Sequence, residues 1–258
     1  MLALIAGQGA LPSAVAAAAP ERPLICALQP YLPDDLSVDR SFRIEQLGGF
    51  LHWLRSQGVT QICMCGRVER PRIDLKALDW RTALLVPRIR RAIKRGDDGA
   101  LRIVIGILEQ AGFEVLGAHE IAPSLLPVAG VLTQAGPTDT ARADAALADQ
   151  VLGDQGRADQ GQSCVLNGGV IARESDAGTD AMLAGVQGAG TLFKGPKPGQ
   201  DRRADLPVIG PDTARSIIRA GLDGIAIQAG GVMVLEQAEV IRLLDAAGKF
   251  LWVREGTV

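Results

Sequence analysis

Between Phe193 and Pro211 the chain reads FKGPKPGQDRRADLPVIGP, a stretch that concentrates side chains suited to phosphate chemistry. Two of the five lysines, Lys194 and Lys197, fall here, with Arg202 beside Asp201 and Asp205. Cations of this kind bind phosphate oxygens, and the carboxylates hold a divalent metal or activate water. Neither helical nor strand periodicity accounts for the segment. A solvated loop stiffened by its four prolines explains the composition equally well.

Four other places carry candidate chemistry. Gly7 and Gly9 in GQGALP follow a short apolar run and precede an alanine-rich one, a strand-turn-helix whose N–H groups can cradle a phosphate. The turn lacks the third glycine of a dinucleotide fingerprint, and no ribose-binding acid ends the next strand. Asp98, next to Asp97 and between Arg95 and Arg102, reads either as a helix cap or as a group orienting a polar substrate. His119, beside Glu120, follows a strand where open α/β sheets keep their sites; a structural hydrogen bond is the competing reading. Thr179 and Asp180 open a helix. Capping explains one of them and leaves the Asp180 carboxylate available for substrate or metal, with Glu174 just upstream.

Composition narrows the function. At 258 residues, 47% hydrophobic and 22% charged, the chain suits one large or two modest globular domains. A net charge of −2 leaves no basic surplus for a nucleic-acid partner, and 3% aromatics argues against a base-stacking platform. Cys63 and Cys65 lie in an apolar, strand-like run and read, with Cys26 and Cys164, as buried free thiols; His52 and His119 do not complete a zinc pattern. The N-terminus lacks a basic leader, and no apolar run approaches the roughly 20 residues of a membrane span, so a cytoplasmic protein is expected.

The elements that must position these groups alternate. Strands are expected at 2–6, 23–28, 59–65 and 113–117, with helices over 42–57, 79–94 and 100–111, which implies a parallel, doubly wound sheet. Pro87 would kink or bound the 79–94 helix. Gly136–Thr140 is the natural linker, dividing the chain into 1–134 and 135–258. Beyond it, helices are expected at 140–153, 180–187, 211–220 and 236–247. A hairpin is expected across Asn167-Gly168, and strands at 191–194, 224–228, 231–235 and 250–253.

The runs LIAGQGALP, GRVERP, RAIKRGDDGALR, GFEVLGAHEIAPSLL, GTDAML and KPGQDRRADLPVIGP, in this order, resemble the LpxI family of UDP-2,3-diacylglucosamine pyrophosphatases from Leu2 to Val253. The resemblance implies an α/β fold with an N-terminal Rossmann-like parallel-sheet domain, a C-terminal catalytic α/β domain and an active site in the cleft between them. It implies magnesium-dependent hydrolysis, with water attacking the sugar-side phosphorus. The products would be UMP and 2,3-diacylglucosamine 1-phosphate (lipid X), a step of lipid A synthesis. Asp205 and Asp201 would be the catalytic acids. Lys194, Lys197, Arg202 and Thr179 would bind phosphate; Gly7, Gly9, Asp98 and His119 would face the substrate; and Asp180, Asp201 and Asp205 would share the metal. A cytoplasmic protein in weak peripheral contact with the inner membrane is implied, and a homodimer stays open. Two positions depart from the family pattern: Ala177 replaces the glutamate usual before GTD, and Gln228 stands where an acid is common. A lipid- or nucleotide-binding regulator of impaired catalysis is the alternative those losses support. A nucleotide-dependent oxidoreductase would need the missing fingerprint.

Overall fold

The computed structural model describes residues 1–69, 74–87, 97–203 and 205–255, without the side chains of 75, 97 and 98. They form two compact units, Met1–Pro123 with Asp201–Asp205, and Ser124–Gln200 with Leu206–Val258.

The first unit runs β1 (Leu2–Ala6), α1 (Leu11–Ala18), β2 (Leu24–Leu28), β3 (Arg40–Phe42), α2 (Leu47–Ser56), β4 (Gln61–Cys65), α3 (Trp80–Ala83), α4 (Asp97–Gln110), β5 (Glu114–Leu116) and α5 (Ala118–Ile121). Its five strands are all parallel, in the order β3-β2-β1-β4-β5. This is the Rossmann-like arrangement, reversing direction between β1 and β4. A parallel sheet is covered on both faces, so β1 reads as an almost unbroken apolar run, with Ala3, Leu4 and Ala6 fully buried. Phe42 stacks on Phe50 with ring centroids 3.8 Å apart, and Leu54, Ile62 and Leu108 complete the adjoining core. Each such large apolar side chain contributes about 1.5–3 kcal/mol by burial.

Two expectations are corrected here. The helix expected from Phe42 begins only at Leu47, because Arg40–Phe42 pairs with β2 as an edge strand and a 3-10 turn at Ile44–Gln46 separates the two. The helix expected over 79–94 is interrupted: α3 spans only Trp80–Ala83, capped by the Asp79 carboxylate on the Thr82 N–H at 2.5 Å, and Leu84 and Leu85 turn out of it. Residues 88–96 lie outside the described residues.

The second unit runs β6 (Gly130–Val131), α6 (Asp139–Arg157), β7 (Ser163–Leu166), β8 (Val170–Arg173), α7 (Gly178–Ala184), β9 (Thr191–Lys194), β10 (Val208–Ile209), α8 (Pro211–Ala220), β11 (Gly224–Gln228), β12 (Met233–Val234), α9 (Gln237–Ala246) and β13 (Phe250–Arg254). Six strands form a mixed sheet, β6-β13-β11-β9-β7-β8. β9, β11 and β13 are parallel, β7 is antiparallel to both β9 and β8, and β6 closes the other edge antiparallel to β13. The β7–β8 hairpin turns at Gly168, whose φ of 69° is open to glycine at little cost. Ile217, Leu222, Leu244 and Leu251 are buried on one face, while Phe193, Cys164 and Ala148 pack on the other. The proline-rich stretch is not all loop: Val208–Ile209 pairs in parallel with Met233–Val234 as a separate two-stranded ribbon. Among the described residues no helix is long and apolar enough to cross a membrane.

Candidate active site

In the second unit the chemistry gathers at the carboxyl end of β9. Antiparallel pairing sets Ser163, the first residue of β7, opposite Lys194, the last of β9. The backbone N–H of Glu174 then bonds the Ser163 carbonyl, bringing the end of the hairpin to the same place. Gly161, at φ 50°, makes room there: a Cβ on it would lie 2.6 Å from that of Glu174. Thr179 arrives from the first turn of α7.

These residues form one hydrogen-bonded array. Lys194 Nζ donates to Thr179 Oγ1 at 2.8 Å, and that hydroxyl donates to Glu174 Oε1 at 3.0 Å. Glu174 Oε2 accepts from the Gln162 N–H at 2.7 Å and from Ser163 Oγ at 2.8 Å. Burial alone would raise the Glu174 carboxyl. The Lys194 charge and the bonds from Gln162, Ser163 and Thr179 outweigh it and hold the group below its ordinary value. The result is an ammonium fixed at the end of a parallel strand, where open α/β sheets bind ligands. Asp180 is exposed one residue beyond Thr179, in the favourable first turn of α7. Gln228 ends the neighbouring β11, and its Oε1 would lie 3.5 Å from a Cβ placed on Gly195.

Lys197 has a partner within this unit. Its ammonium, only 12% exposed, pairs with Asp159 at 2.7 Å. The Gln200 side chain caps the Lys197 N–H at 3.0 Å, so the Gly195–Gln200 loop is braced at both positions.

In the first unit, Asp201 is forked by an arginine that the sequence did not single out. Arg203 Nε and Nη2 donate to the two Asp201 oxygens at 2.9 and 2.8 Å, and the Arg203 N–H adds a third bond at 3.1 Å. These hydrogen bonds hold the Asp201 carboxyl below its usual range despite burial. Arg203 also reaches Glu109 on α4 at 2.6 Å. Asp205 closes the same turn, its N–H 3.4 Å from the Asp201 carbonyl. Arg202 is exposed, near enough to His119 to act on its charge.

The His119 ring lies against Gly117, where a Cβ would be 2.5 Å from the imidazole. Its buried Nδ1 has no hydrogen-bond partner among the described residues. Burial lowers the His119 pKa; Glu120 opposes that and Arg202 adds to it. Glu120 accepts from the Gly117 N–H at 2.5 Å.

The glycine turn uses its donors within the chain. Gly7 N–H bonds the Cys65 carbonyl at 2.8 Å, Gln8 N–H the Arg67 carbonyl at 3.0 Å, and Gly9 N–H the Asp34 carboxylate at 2.8 Å. A Cβ on Gly7 would lie 2.6 Å from the Arg67 carbonyl oxygen, so glycine is required for the close approach. Asp98 belongs to the first turn of α4, and its side chain lies outside the described residues.

The expected residues therefore sort by unit. Thr179, Lys194, Lys197 and Asp180 belong to the second, and Gly7, Gly9, Asp98, His119, Asp201, Arg202 and Asp205 to the first. Of these, Thr179 and Lys194 are hydrogen-bonded to each other through their side chains, and Glu174 joins them. Among the described residues no three His, Cys, Asp or Glu groups gather as a ready metal cage. Magnesium is commonly held by one or two carboxylates plus substrate phosphates, and Asp180 and Asp205 are donors of that class.

Two family models match the chain: the LpxI N-terminal domain over residues 1–125 and the LpxI C-terminal domain over residues 128–252. The chain is also similar to the UDP-2,3-diacylglucosamine pyrophosphatase LpxI of Caulobacter vibrioides. The two are 36% identical over 270 residues, covering 97% of this chain and 96% of that protein.

Proposed function

The chain belongs to the LpxI family, and from that premise we propose that it is a UDP-2,3-diacylglucosamine pyrophosphatase of lipid A synthesis. It hydrolyses the pyrophosphate to UMP and 2,3-diacylglucosamine 1-phosphate. The observation that carries this reading beyond family membership is Lys194, an ammonium held by Thr179 at the carboxyl end of β9. A pyrophosphate brings negative charge to such a position, and charge builds on the leaving phosphate as the bond breaks. A fixed cation stabilises that charge without reorganising.

Of the two acids, Asp201 is forked by Arg203, which suits the task of fixing the 201–205 turn. We assign the attacking water to Asp205. A bound magnesium ion would neutralise the phosphoryl oxygens, and Asp180 is a carboxylate suited to hold it. Two acyl chains place the substrate's source in a bilayer, so the reading includes weak peripheral contact with the inner membrane.

The test is hydrolysis of UDP-2,3-diacylglucosamine in ¹⁸O-water, with both products analysed by mass spectrometry. The reading expects UMP and the lipid 1-phosphate, with label in the lipid phosphate. Label in UMP alone would place the attack on the other phosphorus, and substrate binding without either product would support a regulator.

A further inference from the structure

The array around Glu174 has a fixed proton order. An ammonium only donates, an ionised carboxylate only accepts, and a hydroxyl carries one proton. Lys194 Nζ donates to Thr179 Oγ1, so that oxygen presents a lone pair to it. The single Thr179 proton then goes to Glu174 Oε1. Glu174 Oε2 takes the Ser163 proton together with the Gln162 N–H. With both hydroxyl protons committed to the carboxylate, the 3.2 Å contact between the Ser163 and Thr179 oxygens carries none. Every direction in the array follows from one acceptor-only group.

We propose that Glu174 is a positioning residue for the hydrolysis: by holding the Thr179 proton it turns the Thr179 oxygen toward Lys194 and fixes the ammonium at the end of β9. The inference rests on the phosphate-binding role proposed above for Lys194. Glutamine at position 174 reverses the order. The Gln162 N–H and the Ser163 hydroxyl both need an acceptor where Oε2 stands, so the amide oxygen takes that place and the amide nitrogen faces Thr179. Thr179 then accepts from the amide as well as from Lys194, its proton swings from position 174 to the Ser163 oxygen 3.2 Å away, and the ammonium loses both the carboxylate charge and the hydroxyl alignment that fixed it.

The test has two readouts on the full-length protein. In lysine side-chain ¹H–¹⁵N spectra, five ammonium groups are to be resolved, and Lys194→Arg identifies the signal of Lys194. The wild type is expected to show a slowly exchanging Lys194 ammonium, and Glu174→Gln and Thr179→Val to lose it. In UMP release, Glu174→Gln is expected to lower kcat by about tenfold or more with KM changed by less than about threefold. In a Lys194→Ala background the same substitution should add less than about twofold, because residues acting as one unit are not additive. An ammonium signal that persists in Glu174→Gln, or a full loss of kcat added to that of Lys194→Ala, overturns the proposal. If Glu174→Gln does not fold, Thr179→Val decides alone, since it leaves Glu174 its Gln162 and Ser163 bonds: loss of the signal supports the relay and its persistence refutes it. A wild type that releases no UMP refutes the hydrolase reading, while the ammonium signal still decides the positioning.

Discussion

Alanine at two glycines of one helix should move stability in opposite directions. Both Gly153 and Gly156 lie in α6, and replacing a helical glycine by alanine ordinarily stabilises by about 1 kcal/mol. At Gly153 the nearest atoms to a new Cβ are the guanidinium nitrogens of Arg157, 3.5 Å away at the free end of a flexible side chain. Gly153→Ala should therefore gain about 1 kcal/mol, a rise in Tm of about 2–4 °C for a chain of this size. At Gly156 a Cβ would meet Pro198 Cδ at 2.4 Å and Lys197 Cα at 3.1 Å. A proline ring and a backbone atom cannot swing aside, so the Gly195–Gln200 loop must move. Overpacking costs about 1–3 kcal/mol, which exceeds the propensity gain and leaves Gly156→Ala less stable by up to about 2 kcal/mol. That loop follows Lys194 directly, so UMP release should fall as well. Calorimetry on both variants, with turnover measured in parallel, separates the two effects. Equal rises in Tm at both positions, with turnover unchanged, would refute the claim that α6 is held against the loop by the absence of a side chain.

Two further outcomes follow from titratable groups. Glu174 is held below its ordinary pKa in the folded protein, so its stabilisation is fully present above the unfolded value near 4.5 and is lost as pH falls through the folded one. The advantage of wild type over Glu174→Gln, about 1–3 kcal/mol at pH 7, should narrow below pH 4 in denaturant titrations; a gap that widens on acidification would contradict the sign. All four cysteines are buried and free, and burial pushes the Cys26 and Cys164 thiols up to about 12. Ellman's reagent should find almost no rapidly reacting thiol in the native protein and four after denaturation; a fast native thiol would mean one of these sites opens readily.

How much of this was legible depends on the range of the physics involved. The helix Pro211–Ala220 was readable to its ends, because proline sits at its first position and Gly221, at φ 76°, stops it. The apolar runs of β1, β2, β9 and β11, bounded by glycine and proline, were equally plain. The short strands β3 and β10 were not, because so short a segment has no period and becomes a strand only through its partner. The candidate site shows the same division. Thr179 and Lys194 stood out by type and context, but that they meet is set by the β7–β9 register. Nothing local distinguishes Arg202 from Arg203, and the fold gives Asp201 to the second. The donors of the GQG turn were read as available to phosphate; Cys65, Arg67 and Asp34, all remote in sequence, engage them. Lys197 likewise finds Asp159 across 38 residues.

The central claim is tested most directly by UMP release from UDP-2,3-diacylglucosamine, with magnesium and with EDTA, for wild type and Asp205→Ala. The account predicts magnesium-dependent release by wild type that chelation stops. It also predicts that Asp205→Ala abolishes release while the protein still binds the lipid substrate. Substrate binding by wild type with no release under any metal condition would contradict it, and the carboxylates missing at Ala177 and Gln228 would then be the first positions to restore.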